Sequence, residues 1–369
     1  MPRIHPKDVL RVRSSPKAKA LLPLLPVCQN AASARNELRW MKEHATSVSS
    51  RRGNKSPHLI LSSYVKRRAS GEPLQYILGS EYFGDLEIKC RPGVLIPRQE
   101  TAASISHLVT VLHSQSALAP SQRVRVLDLC SGTGCIPLLF HHEFYTKTPN
   151  ANALLELVGV DISGDALSLA RENLILQLAD QAKTYGPEAT RLRSLHRTGF
   201  VQADVLSKED NIPTDGPPSL MQALNRLAGD TGPKDFDILV SNPPYISPKS
   251  FRSTTSRSVR NFEPKLALVP PSSTFQGDTA IGDSFYPRLL QIAEHVRARF
   301  LLLEVADIDQ AMRVASLVFA TGSWEGVEIW RDSPSLSPEQ AEKIDIDGKI
   351  VDVRGMGNGR SVFAHRGRS

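Results

Sequence analysis

The residues best suited to chemistry in this chain are Asn242-Pro243-Pro244-Tyr245. They follow directly on the apolar run at residues 236–240 and Ser241, so they leave the end of a buried strand. A carboxamide, two rigid prolines and an aromatic ring make a poor structural turn but a good grip on a planar nitrogen. A carboxamide nitrogen is a weak nucleophile because its lone pair is delocalised into the carbonyl. Holding both of its N–H bonds is what helps. The Asn242 side-chain oxygen can accept one and the Pro243 carbonyl the other, which aims the lone pair at an incoming electrophile. Tyr245 can lie on the flat group and exclude water. Such orientation saves several kcal/mol, up to roughly 7–11. No strong base is required, since the nitrogen becomes acidic only as its new bond forms. The plain alternative is a proline-rich loop.

A second constellation lies upstream. Val126-Leu127-Asp128-Leu129-Cys130-Ser131-Gly132-Thr133-Gly134-Cys135 reads as a strand, a glycine turn and the start of a helix. Gly132 and Gly134 let the backbone approach a ligand closely. The dinucleotide fingerprint wants a third glycine where this chain has Pro137, and no GK[ST] phosphate loop is present. Asp161, ending the run Gly159-Val160-Asp161-Ile162-Ser163, can accept both hydroxyls of a ribose, since Ser163 is available to cap the next helix. Asp204 follows a third apolar run and is placed to sit near an adenine; its bland role is a turn aspartate. Asp128, the 130–134 loop, Asp161, Asp204 and Val205 together predict a bound S-adenosylmethionine. With the 242–245 segment, which completes the cofactor site through Asn242 and forms the substrate site, they predict methyl transfer to an amide or amino nitrogen.

Alternating strands and helices must position these groups. Apolar runs at residues 124–129, 155–160, 200–203, 236–240 and 301–305 predict strands, with a helix after Ser163 carrying Leu167, Ala170, Leu174 and Leu178 on one face. The segments 326–330 and 361–365 predict a final hairpin. The fold expected is α/β, a doubly wound Rossmann-like sheet. Residues 20–73 read as a small helical N-terminal domain, with Leu38, Met41 and Ala45 at helical spacing. Ser56-Pro57 starts one helix with a capping hydroxyl, and Gly71 ends it. Residues 74–97 read as a linking β-hairpin, in which Leu86, Ile88 and Cys90 alternate with Glu87 and Lys89. The catalytic domain is then 98–369, with polar insertions at 181–198 and 207–234.

The chain has 369 residues, is 40% hydrophobic and carries a formal charge of +7, which favours acidic partners. No apolar run approaches the ~20 residues needed to span a bilayer. The 4 cysteines, Cys28, Cys90, Cys130 and Cys135, form no CxxC pair, and His141-His142 is adjacent rather than at ligand spacing, so no metal is expected. Residues 1–19 set Arg3, Lys7, Arg11, Arg13, Lys17 and Lys19 against Asp8 alone, which is compatible with a mitochondrial presequence or a basic tail.

On these residues the chain resembles the HemK-type release-factor glutamine methyltransferases, over most of residues 20–369. The run from Arg68-Ala69-Ser70-Gly71-Glu72-Pro73 through Leu74-Gln75-Tyr76-Ile77-Leu78-Gly79 resembles the family's interdomain segment. Phe83-Gly84, Val94-Leu95-Ile96-Pro97-Arg98-Gln99-Glu100-Thr101, Asn261-Phe262-Glu263-Pro264 and Leu266-Ala267-Leu268 resemble its hairpin, its following loop and its segment after the NPPY. Departures are Gln99 for the family's usual proline, Phe262 for tyrosine, Cys130-Ser131 for Gly-Thr and Val205 for an aromatic residue. The resemblance implies methylation of the glutamine in the Gly-Gly-Gln motif of a class I peptide release factor. A monomer is expected, with no stable nucleic-acid complex and no membrane contact. The resemblance also implies that the helical domain helps grip the release factor. With the basic leader it favours mitochondria over the cytoplasm. Two other readings compete. One is an amino-methyltransferase acting on adenine N6 or guanine N2 of nucleic acid, since a flipped base presents the same planar nitrogen. The other is a basic RNA-binding module with a degenerate core, against which stand the intact Asn242, Asp161 and Gly132/Gly134.

Overall fold

The computed structural model describes residues 4–52, 56–114, 123–147, 152–207, 216–228, 235–271, 277–336 and 342–367. They form two compact units. One comprises Met1–Ser80, Cys90–Pro92 and Thr255–Glu263, the other Glu81–Lys89, Gly93–Thr254 and Pro264–Ser369.

The first unit is helical. Helices Pro6–Arg13, Ala18–Cys28, Ala31–Arg52, Pro57–Ala69 and Leu74–Leu78 close around Val12, Leu21, Leu24, Leu38, Met41 and Ala45. Each of the buried Val, Leu and Met side chains among them contributes roughly 1.5–3 kcal/mol. The Pro57–Ala69 helix has its proline in the first turn and Lys66, Arg67 and Arg68 in the last, where cations suit the carbonyl end. Ser56 precedes it, but its hydroxyl makes no capping bond. The stretch read as a basic leader is helical from Pro6, and it buries Val12 completely. A short helix, Leu74–Leu78, opens the stretch read as a hairpin.

In the second unit β1 (Ser80–Phe83) pairs with β2 (Leu86–Lys89), whose Leu86 and Ile88 are buried and Glu87 and Lys89 exposed, as the alternation predicts. The nine remaining described strands are β3 (Arg123–Leu129), β4 (Leu154–Asp161), β5 (Gly199–Gln202), β6 (Ile238–Ser241), β7 (Phe300–Glu304), β8 (Gly326–Ser333), β9 (Glu342–Ile346), β10 (Lys349–Arg354) and β11 (Met356–His365). They make one sheet in the order β5-β4-β3-β6-β7-β11-β8-β10-β9. The pairs β3–β4, β4–β5, β3–β6 and β6–β7 are parallel, and β11 is antiparallel to β7 and β8.

Strand period two sorts the core. In β7, Phe300 and Leu302 join one apolar cluster with Leu108 and Leu139 of helices Gln99–Ser114 and Cys135–Lys147. Leu301 and Leu303 join another with Leu289 and Val314 of helices Phe285–His295 and Ile308–Ala320. Both faces are therefore covered, the condition for a doubly wound sheet. Ser163 caps helix Gly164–Gln181 by accepting from the Ala166 amide at 3.3 Å.

Three expectations are corrected. Residues 326–330 and 361–365 do pair, Ile329 opposite Val362, but β9 and β10 lie between them in sequence, so the connection is no hairpin. The 181–198 stretch is not wholly a surface insertion; helix Thr190–His196 buries Leu192, Ser194 and Leu195. The 207–234 stretch, partly outside the described residues, carries helix Leu220–Ala228, with Leu220, Met221, Ala223 and Leu224 in the main core.

Candidate active site

The chain leaves β3 for its neighbour β4 on one side, and later enters β6 on the other. In open sheets of this kind the crevice beyond the carboxyl ends of such strands takes the ligand. A cavity of about 570 Å³ opens there. Its walls hold Cys130, Ser131, Gly132 and Thr133 after β3, Asp161 at the end of β4, Asp204 and Val205 after β5, and Asn242 and Pro244 after β6. Asp128, Gly134, Pro243 and Tyr245 are not in its wall.

The loop after β3 is fixed from beneath. Cys130 (φ 64°), Gly132 (φ 55°) and Gly134 (φ 74°) are all left-handed, which folds the turn tightly. The Ser131 amide donates to the Val160 carbonyl at 2.9 Å, and the Gly132 amide to Asp161 Oδ2 at 2.8 Å. Gly134 serves packing: a Cβ there would lie 2.7 Å from Phe200 Cζ and 3.0 Å from Ala170 Cβ. Gly134→Ala combines that clash with left-handed strain, and should cost about 2–4 kcal/mol. A chemical-denaturation curve reads this, and a loss under about 1 kcal/mol would contradict close packing of Gly134 against Phe200.

Asp128 lies below the loop and is fully buried. Its Oδ2 accepts from the Ser131 hydroxyl at 2.5 Å, and its Oδ1 has no partner. Burial pushes its carboxyl up from 3.8 to about 8, with the Ser131 hydrogen bond pulling down and the Asp161 charge pushing up. The folded protein therefore binds this proton more tightly than the unfolded chain. The resulting stability is complete below 3.8 and is lost as pH rises through about 8. Asp128→Asn removes that dependence. The melting temperature of the wild type should drop between pH 6 and 9 relative to the variant, by calorimetry; parallel curves would contradict the shift.

Asp161 Oδ1 accepts from the Ser163 amide at 2.9 Å, so each carboxylate oxygen takes one backbone donor and keeps a lone pair. Burial raises its carboxyl, and the Ser163 and Gly132 amides pull it back. Asp204 Oδ1 accepts from the Leu206 amide at 2.9 Å, a turn role, while the residue also lines the cavity. Val205 lines the cavity while packing into the main core. A two-oxygen acceptor at Asp161 and largely apolar walls fit an adenosine.

Beyond β6 the prolines leave residues 243 and 244 without N–H groups, so their backbone can only accept. Asn242 Nδ2 donates to Thr101 Oγ1 at 3.5 Å, which directs the side chain along the cavity wall. The expectation that Tyr245 lies on the substrate is corrected: its hydroxyl points elsewhere and donates to Glu304 Oε1 at 3.0 Å. The reason is Glu304 itself, only 4% exposed at the end of β7, which needs hydroxyl donors. Thr101 Oγ1 supplies the second, on Oε2. The Tyr245 carbonyl accepts from Gln310 Nε2 at 3.3 Å, so the turn is held at both ends of that residue.

Sequence reasoning missed Phe83, Val94, Ile96 and Phe285 in the wall, and Glu304 behind it. The Glu304 signal was available: a lone carboxylate within Leu301-Leu302-Leu303-Glu304-Val305. Among the described residues no group of three or more His, Cys, Asp or Glu side chains is arranged to hold a metal ion, and no helix is long and apolar enough to cross a membrane.

A doubly wound sheet with a glycine loop after β3, acids after β4 and β5, and an acceptor turn after β6 defines an α/β S-adenosylmethionine-dependent methyltransferase. The family model described as N-6 DNA Methylase matches residues 101–277. The mitochondrial MRF1 N(5)-glutamine methyltransferase of Saccharomyces cerevisiae is 30% identical, over 73% of this chain and 68% of that protein. The release factor glutamine methyltransferase of Haemophilus influenzae is 30% identical, over 74% of this chain and 76% of that one. A probable mitochondrial MRF1 N(5)-glutamine methyltransferase of Schizosaccharomyces pombe is 29% identical, over 83% and 86%. The chain belongs to the release factor glutamine methyltransferase family. The human METTL16 N-terminal domain in complex with SAH aligns at TM-score 0.43 and 14% identity, over 82% of this chain and 84% of that one, too distant to bear on function.

Proposed function

We propose that this chain methylates the side-chain amide nitrogen of the glutamine in the Gly-Gly-Gln motif of a class I peptide release factor, and that it does so in mitochondria. The observation that carries the reading is a single cavity holding the 130–133 loop, Asp161, Asn242 and Pro244. Support for the substrate comes from relatives named for release factor glutamine methylation, and for the compartment from two named mitochondrial, together with the basic residues before residue 20.

In this reading S-adenosylmethionine, when bound, supplies a methyl group on an electrophilic sulfonium. Asp161 accepts the ribose hydroxyls, and the Gly132 and Thr133 backbone lies against the cofactor. Asn242 Oδ1 in the cavity wall accepts one amide N–H bond of the glutamine, and the carbonyl of Pro243, between the wall residues Asn242 and Pro244, accepts the other. Phe83, Val94 and Ile96 keep water from that amide. Tyr245 anchors the turn through Glu304 rather than covering the substrate. The proton leaves late, once the nitrogen has gained its methyl group, along its hydrogen bond to the clamp's acceptor oxygen and on to solvent as the product departs, so no strong base has to stand in the wall.

The test offers S-adenosylmethionine with a labelled methyl to the protein, alongside a release factor, the same factor with the motif glutamine changed to alanine, or total RNA. Label in the first alone is expected. Label in RNA alone would overturn the reading in favour of a nucleic-acid amine.

A further inference from the structure

We propose that Glu304 and Thr101 are positioning residues that decide which way round the Asn242 amide sits. The inference rests on the proposed glutamine methylation, in which the Asn242 oxygen must face the substrate N–H.

A carboxamide is nearly symmetric in shape. Rotated by half a turn, Asn242 would fill the same space but present N–H groups to N–H groups, and the clamp would repel its substrate. Something has to forbid that rotamer, and the donor accounting identifies it. Glu304, at the buried end of β7, accepts two hydroxyls: Tyr245 Oη on Oε1 at 3.0 Å and Thr101 Oγ1 on Oε2. A threonine hydroxyl carries one proton. With that proton committed to a carboxylate, which only accepts, Thr101 offers nothing but lone pairs on its other side. The atom facing them is Asn242 Nδ2, 3.5 Å away. Only the NH2 end of Asn242 can face Thr101, so Oδ1 is left at the opposite end of the amide. The contact is long, as catalytic hydrogen bonds often are before substrate arrives.

The chain of logic begins at a charge. Burial pushes the Glu304 carboxyl above 4.5; the Thr101 hydrogen bond, Arg360 of β11 and the Tyr245 hydroxyl pull the other way, and Glu100 adds to the rise. Arg360 is itself held by Asp332 Oδ1 at 2.9 Å. A neutral amide at 304 would break the accounting. Its NH2 would have to donate to Thr101 or to Tyr245. If it donated to Thr101, that hydroxyl proton would turn to Asn242, which would accept it only by rotating its oxygen away from the cavity.

Three variants test this. Glu304→Gln keeps shape and loses the charge; Thr101→Val keeps shape and loses the hydroxyl; Thr101→Ser keeps the hydroxyl. For Glu304→Gln and Thr101→Val we expect kcat down about 10²-fold, the scale of a misplaced reacting group. KM for the release factor and cofactor affinity by calorimetry should stay within about 3-fold, and melting should stay cooperative. Thr101→Ser should recover kcat to within about 3-fold of wild type. The double variant should be no worse than its poorer parent, since both act through one hydroxyl. Wild-type kcat in Thr101→Val, multiplicative losses in the double variant, or a Thr101→Ser as slow as Thr101→Val would each overturn the inference. Neutron diffraction of the exchanged wild-type protein reads the orientation with no substrate, and so separates this inference from the substrate assignment. Deuterium on the Asn242 atom facing Thr101 supports it; deuterium on the opposite atom overturns it.

Discussion

Asn242→Ala should lower kcat for methyl transfer by about 10³-fold or more while cofactor affinity changes little. The reasoning starts from the nucleophile. A carboxamide nitrogen attacks only when its N–H bonds are held and its lone pair is aimed, and the clamp proposed above gives it two acceptors, the Asn242 side chain and the Pro243 carbonyl. Removing one such partner from a preorganised site costs about 10²–10³-fold, and here the surviving acceptor cannot fix the amide plane alone. The side chain is not needed to hold up the sheet. Its hydrogen bond to Thr101 is long, 3.5 Å, while β6 is secured by its parallel pairing with β3 and β7. Melting should therefore change by no more than a few degrees. Asn242→Asp is the sharper control, because it keeps an acceptor towards the substrate but turns a second one on the Thr101 lone pairs. It should be nearly as inactive as alanine. Turnover retained in either variant would remove the polar clamp from the mechanism.

What the sequence made legible was whatever depends on neighbours in the chain. The 130–133 loop, the acid at the end of β4 and the turn after β6 each sit next to an apolar run that names its own strand, so their placement around one cavity followed from the alternation of strands and helices. The same holds for the Ser163 cap and for the alternation of β2. The strands β9 and β10 carry a local signal that apolar runs alone do not pick up. Asp347-Gly348, both left-handed at φ 53° and 79°, joins Glu342–Ile346 to Lys349–Arg354, and an Asp-Gly pair between alternating runs is a strong short-range hairpin signal. Other features were hidden for a physical reason. Tyr245 turns to Glu304, 59 residues on, and Glu304 draws Thr101 from 203 residues back. Those bonds exist because a buried carboxylate must be satisfied, and the chain does not reveal what satisfies it until the sheet has closed. Helix Thr190–His196 was hidden differently: only Leu192 and Leu195 of its seven residues face inward among the large apolar side chains, too short a pattern to separate from a polar loop.

Asp161 carries the second large effect. Its two oxygens accept the Gly132 amide at 2.8 Å and the Ser163 amide at 2.9 Å, each keeps a lone pair, and the residue lines the cavity. It thus shapes the glycine loop and offers a two-point acceptor for a vicinal diol. Hydrogen bonds to a charged group contribute about 1.5–3 kcal/mol each, so Asp161→Ala should weaken S-adenosylmethionine binding by about 10²–10³-fold in calorimetry. Asp161→Asn has the same shape but sets its NH2 against one of the two backbone donors, and it should lose affinity as well, with a lowered melting temperature from the disturbed loop. A pH profile adds an independent reading. Burial holds the Asp161 carboxyl above its ordinary 3.8. Protonation removes an acceptor, so cofactor affinity in the wild type should fall on acidification at a pH higher than an exposed aspartate would give. That acid limb should vanish in Asp161→Ala. An alanine variant binding as tightly as wild type would mean that the ribose lies elsewhere in the cavity, and with it the whole orientation of the donor relative to Asn242.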